Sequence, residues 1–152
     1  MKRVIAILFF ASCVAAISYG QVNPHAIGLR FGGGDGVGSE ISYQHGLNST
    51  NRIEADLGYV SSSSFNRMQI TGLYQWVWNI QGALNWYAGV GGGVGQVSIK
   101  GGGSEFQLNV NGDIGLEYQL DVPVQISIDL RPGFGTSKFD NSSLALAVRY
   151  IF

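Results

Sequence analysis

The sequence predicts an all-β domain: an eight-stranded antiparallel up-and-down transmembrane β-barrel whose lumen is filled by polar side chains. Three observations predict it. Apolar and polar residues alternate with period two in eight segments, each about as long as the roughly ten residues a tilted membrane strand needs. From residue 21 onward, seven Lys or Arg and ten Asp or Glu stand among 132 residues, about half the charged fraction usual for a soluble domain. The positions opposite the apolar ones are mostly Gly, Ala, Ser, Asn and Gln, which suit the inside of a narrow barrel.

The segments follow in order. "HAIGLRFG" sets Ile27, Leu29 and Phe31 against Ala26, Gly28 and Arg30, and "SEISYQHGL" sets Ile41, Tyr43 and Leu47 against Glu40, Ser42 and Gln44. In "NRIEADLGYV", Ile53, Ala55, Leu57 and Tyr59 oppose Arg52, Glu54, Asp56 and Gly58. "RMQITGLYQWVWNI" sets Met68, Ile70, Tyr74, Trp76 and Trp78 against Gln69, Thr71, Gln75 and Asn79, with Leu73 and Val77 off the pattern. The fifth, "WYAGVGGGVGQV", puts Trp86, Ala88, Val90 and Val94 on one face and Tyr87, Gly89, Gly91, Gly93 and Gly95 on the other. "FQLNVNGDIGLEY" opposes Phe106, Leu108, Val110, Ile114, Leu116 and Tyr118 to Gln107, Asn109, Asn111, Asp113 and Glu117. The seventh, "VPVQISIDLR", runs from Val122 with Ile126, Ile128 and Leu130 opposite Gln125, Ser127, Asp129 and Arg131. "SLALAVRYIF" closes the series with Leu144, Leu146, Val148, Tyr150 and Phe152 against Ala145, Ala147 and Arg149. An even strand number is what bacterial barrels use.

Alternation does not by itself say which face is outside. No Lys occurs in any predicted strand, whereas a face in bulk water would carry many, so the apolar face is expected to meet lipid. The aromatic residues sort by height on the same reading. Tyr43, Trp76, Trp78, Trp86 and Tyr118, with Tyr150 and Phe152, fall at the periplasmic strand ends, and Phe31, Tyr59 and Phe106 at the other, as two membrane interfaces require.

The N-terminus reads as an export signal. Lys2 and Arg3 precede an apolar run over 4–17, and Ser18-Tyr19-Gly20 places small residues at −3 and −1, so residues 1–20 are expected to be cleaved and 21–152 to form the barrel domain. Cys13, in "FFASC", loosely meets a lipoprotein box, but the apolar run continues past it to the better cut after Gly20. The remaining chain has no cysteine, which removes disulfide and thiolate chemistry. Its formal charge, seven minus ten, is −3, with no basic stripe for a nucleic acid.

With the signal, "NWYAGVGGGVG", "GLEYQLDVPVQISIDLRPGFG" and the closing "LALAVRYIF" in place, the chain resembles the small bacterial outer-membrane β-barrel proteins of the OmpX/OmpA-barrel type. The resemblance spans residues 21–152 and implies a location in the outer membrane and contact with its lipid. It also implies assembly by the barrel-assembly machinery, which in that family reads a last strand ending in an aromatic residue; Leu144, Leu146, Val148, Tyr150 and Phe152 match by position. Surface loops are long in many members and short here, which weakens an adhesin or receptor role.

Other chemistry is scarce. Five glycines fall in the seven residues 89–95, yet no G-x-x-x-x-G-K-[ST] or G-x-G-x-x-G occurs and no helix follows, so the run reads as strand and not as a phosphate loop. "GFGTSK", over 133–138, reads as part of the last surface loop, where Lys138, Phe139 and Asp140 are the expected contact point for any partner. The only histidines, His25 and His45, lie at the start of the first strand and on the lipid face near the periplasmic girdle, with no Ser and acid arranged for hydrolysis. Glu54 and Asp56 alone are too few for a metal; no cofactor is expected.

Ten charges are expected to face inward: Arg30, Glu40, Arg52, Glu54, Asp56, Asp113, Glu117, Asp129, Arg131 and Arg149. Buried charges persist only when paired, so four Arg among six acids predict a plug that fixes the barrel's shape. The expected function is structural and non-enzymatic, in a monomer. A narrow pore or small-solute transporter through the polar lumen is the alternative, and a soluble lipocalin-like barrel with its faces reversed is a second.

Overall fold

The computed structural model describes residues 22–32, 38–136 and 143–152. The expected signal peptide with Cys13, and the expected contact point at Lys138, Phe139 and Asp140, lie outside the described residues. Among the described residues no helix is long and apolar enough to cross a membrane. Nine strands form instead: β1 (His25–Gly32), β2 (Gly38–Gly46), β3 (Asn51–Ser61), β4 (Phe65–Gln81), β5 (Leu84–Ile99), β6 (Ser104–Gln119), β7 (Val124–Arg131), β8 (Gly133–Gly135) and β9 (Ser143–Ile151).

They make eight staves, because β7 and β8 are two pieces of one stave and β6 pairs with both. Each stave pairs antiparallel with the next, and β1 pairs with β9 to shut the cylinder. That closing seam joins residues far apart in the chain, from Ala26↔Ile151 to Gly32↔Ala145. Closure through β1 and β9 gives each of the eight staves a hydrogen-bonded neighbour on both sides, the condition for a sheet in hydrocarbon.

Two of the boundaries that differ from the sequence reading do so because of proline. The seventh strand begins at Val124, not Val122, because Pro123 lies in a turn tied by Leu120 N–H donating to the Val124 carbonyl at 2.9 Å. Residues 133–135 are strand, not surface loop. Pro132 has no N–H to donate and interrupts the ladder, but its carbonyl accepts from Gly112 N–H at 2.8 Å and the chain re-enters register, Phe134 opposite Val110. Strands β4, β5 and β6 also run longer than the sequence reading, at 17, 16 and 16 residues against 8 and 9 for β1 and β2. Among the described residues these three strands extend farthest.

The molecule is inside out relative to a soluble protein. Leu29, Ile41, Leu57, Ile70, Val94 and Leu108 form one row in register around five seams and are 42–53 % exposed. Meanwhile Arg30, Arg52, Glu54, Asp56, Gln75, Asp129 and Arg149 are at most 2 % exposed. In water such a belt would far exceed the apolar patches monomers tolerate; facing lipid it carries no penalty. The reversed faces of a soluble ligand-binding barrel are not what the chain adopts.

The turns over 47–50, 82–83 and 120–123 lie at the end where the chain enters β1 and leaves β9. Tyr43, Tyr118, Tyr150 and Phe152 stand near this end, with Trp78 stacked on Trp86 at 4.4 Å and Trp76 edge-on to Tyr74 at 4.9 Å. Phe31, Tyr59 and Phe106 stand toward the other end. In barrels of this kind the short turns face the periplasm.

Candidate functional site

The lumen holds the chain's concentrated chemistry, and strand alternation puts it there. On β3, Arg52, Glu54 and Asp56 share the inward face; on β7, Gln125, Ser127, Asp129 and Arg131 do. Counted around the cylinder, β3 and β7 are four staves apart and so diametrically opposed. Arg131 spans that diameter, giving Nη2 to Glu54 Oε1 and Nη1 to Asp56 Oδ2, each at 2.8 Å.

Three further arginines complete the crossing. Arg30 donates to Glu40 at 2.6 Å on one side and to Asp129 at 2.5 Å on the other, with Ser143 Oγ at 3.0 Å. Arg52 reaches Glu117 at 2.6 Å and Gln75 Oε1 at 2.6 Å. Arg149 lies opposite Gly28, which lies opposite Ser42, and its Nε donates to Ser42 Oγ at 2.9 Å. Gly28 lets the two strands of the closing seam approach closely: a Cβ there would overlap the Val148 carbonyl. The Nη1 of Arg149 donates to Ser127 Oγ at 2.9 Å, and its Nη2 stands 3.2 Å from Glu54 Oε2.

Amides fill the spaces between ions. Gln44 donates to Glu54 at 2.6 Å, Gln75 to Asp113 at 2.5 Å, and Gln125 to Glu117 at 2.8 Å, while Asn85 donates to Glu117 at 3.2 Å. All ten charges singled out from the sequence face the lumen; nine are buried and Glu40 is half-buried. Sequence reasoning named the charges and missed this neutral half of the network, although Gln44, Gln75 and Gln125 sit on the same alternating face and that signal was available. It also missed Arg67, inward on β4 and bonded to Gln69 at 2.7 Å.

Tyr87 is the other residue it did not place in a role. It lies directly opposite Gly115 on β6, and a Cβ at Gly115 would overlap its ring. The ring thus lies over the bare backbone of its neighbour, with the Arg52 guanidinium 4.8 Å from its centroid. Leu73 and Val77, off the sequence pattern, are buried in the lumen. The glycine run of β5 faces long side chains: Gly89 lies against Gln75 and Gly93 against Asn109.

Packing is dense but not fully paired. Among the described residues Arg52 Nη2, Asp56 Oδ1, Asp113 Oδ1, Arg131 Nε and Arg149 Nη2 lack an aligned hydrogen bond. Arg131 Nε and Asp113 Oδ1 face each other at 3.9 Å. Each of the six carboxylates has at least one oxygen engaged by a guanidinium or an amide.

Fold and lumen together define a class: the small eight-stranded barrel that crosses a membrane on its strands. Solved structures it resembles include those of three bacterial outer-membrane proteins. The N-terminal β-barrel domain of Pseudomonas aeruginosa OprF matches with a TM-score of 0.75 at 16% identity, over 88% of this chain and 99% of that one. Neisserial surface protein A (NspA) matches with 0.63 at 17%, over 84% and 94%. Ail, the attachment invasion locus protein of Yersinia pestis, matches with 0.55 at 17%, over 84% and 96%. At these identities the likeness establishes the fold, that of the small outer-membrane barrels. No protein-family model matches the chain, and no curated protein matches it.

Proposed function

We propose that this chain is a structural, non-enzymatic protein of the bacterial outer membrane, working as a monomer whose lumen is a plug. The observation that carries the reading is the diametric bridge from Arg131 to Glu54 and Asp56. A water-filled pore needs an open axis, and here a guanidinium held at both ends crosses it, with three further arginines pinned to surrounding staves. Outer-membrane residence rests on the exposed apolar belt and on the fold shared with OprF, NspA and Ail. Assembly through the last strand rests on the outward series Leu144, Leu146, Val148 and Tyr150 along β9, with Phe152 just beyond its end.

Planar-bilayer recording of the refolded chain tests the plug. The expected trace is silent at moderate voltage in neutral salt. Reproducible unitary steps, altered in cation preference by Glu54→Ala, would replace the plug with a pore.

A further inference from the structure

His25 and His45 stand directly opposite one another across the β1–β2 seam, on the outer face at the short-turn end of the barrel. Their ring centroids are 5.0 Å apart and their Nδ1 atoms 3.4 Å apart. That spacing is long for a nitrogen–nitrogen hydrogen bond, which wants about 3.2 Å or less. Two nitrogens each about 2.0–2.1 Å from one tetrahedral ion, however, stand about 3.4 Å apart.

We propose that His25 and His45 form a surface site for a divalent transition-metal ion, with zinc in tetrahedral coordination the best match to the spacing. Imidazole nitrogen suits zinc, copper and nickel, and the pairing ladder fixes both backbones before any ion arrives. The Phe152 ring stacks on His25 at 5.4 Å and limits its rotation, while His45 is exposed and free to adjust. Among the described residues no group of three or more His, Cys, Asp or Glu is placed to share an ion, so the remaining positions would go to water or a small anion. The Tyr43 hydroxyl, 2.8 Å from His25 Nδ1, would give up that hydrogen bond and become the nearest protein group for such a water. A bound ion would staple β1 to β2 one strand away from the closing seam.

The test uses the full chain, made without a histidine tag, refolded in detergent and titrated with zinc chloride by calorimetry. Each sample is also heated stepwise and run on a gel that separates folded from unfolded barrel. One zinc per chain is expected, with the folded band persisting to higher temperature in its presence. His45→Ala and His25→Ala are expected to lose both effects while keeping the folded band in the absence of metal. His45 is exposed, so its variant retains the test should His25→Ala fail to fold. Equal zinc binding by the parent and His45→Ala, or no zinc binding by the parent, would overturn the proposal.

Discussion

Glu54→Ala separates two views of the lumen that predict opposite signs. Four arginines and six acids give the network a formal charge of −2 (four minus six), and losing Glu54 would bring it to −1. If overall charge governed stability, the variant would gain. The contacts predict a loss. Glu54 receives Arg131 at 2.8 Å, Gln44 at 2.6 Å, Gln75 at 3.2 Å and the Arg149 guanidinium at 3.2 Å. Without it Arg131 keeps Asp56, but Arg149 keeps only the neutral hydroxyls of Ser42 and Ser127. Breaking a buried pair so that one ion is left behind costs about 3–5 kcal/mol. Urea unfolding from lipid vesicles, followed by tryptophan fluorescence, measures it. Arg149→Ala is expected to cost a similar amount. The double variant should fall short of the sum by about 0.5–3 kcal/mol, the coupling of residues in one network. A loss below about 1 kcal/mol, or strict additivity, would refute the reasoning, because a ring of struts cannot lose its central acceptor cheaply.

Other substitutions test other layers. Gly91→Ala should abolish refolding, since its Cβ would overlap the Gly72 carbonyl, whereas Gly72→Ala, with nothing within 4 Å of its Cβ, should refold like the parent. Gly115→Ala should displace the Tyr87 ring and crowd the Ile128 carbonyl, and cost about 1–3 kcal/mol in the same urea assay, the usual penalty for overpacking; an unchanged midpoint would mean that neither contact needs that bare backbone. Leu29→Arg, on the lipid face near the middle of β1, should cost about 2–4 kcal/mol, while Leu47→Arg, in the turn beyond β2, should cost about 0–1; equal costs would remove the membrane from the belt. Deleting Phe152 should lower the amount of folded barrel recovered from bacterial membranes but leave refolding in detergent intact; equal recovery from cells would deny the terminal aromatic a part in assembly.

Most of the wall was legible because period two is a one-dimensional signal. Ile27, Leu29 and Phe31 announce both a strand and its outer face, and the structure reproduces that assignment in every segment. The strand ends were less legible where proline intervened, since Pro132 reads as a stop in sequence and is only a skipped rung in the sheet. The lumen was half legible. Alternation places Arg131 inside but cannot say which wall it reaches, because partnership across a cylinder depends on shear and on which staves are opposed. Nothing near Arg131 in sequence points to Glu54 and Asp56, 77 and 75 positions away. The fit of Tyr87 over Gly115 needs the register between β5 and β6, which a single sequence does not print.

The closing seam has a kinetic side. Seven of the eight junctions in the wall join staves that follow one another in the chain, so each can form as soon as its second strand has been made. The eighth must wait for β9, and with it waits Arg149, whose guanidinium passes Gly28 to reach Ser42 and stand beside Glu54. Until then β1 has an unpaired edge, a template for pairing with another strand, and the Glu54 carboxylate lacks one of its two ion-pair partners. A chain that stops before Ser143 would therefore not make a smaller or leakier barrel. It would present a bare strand edge and an unmatched charge together.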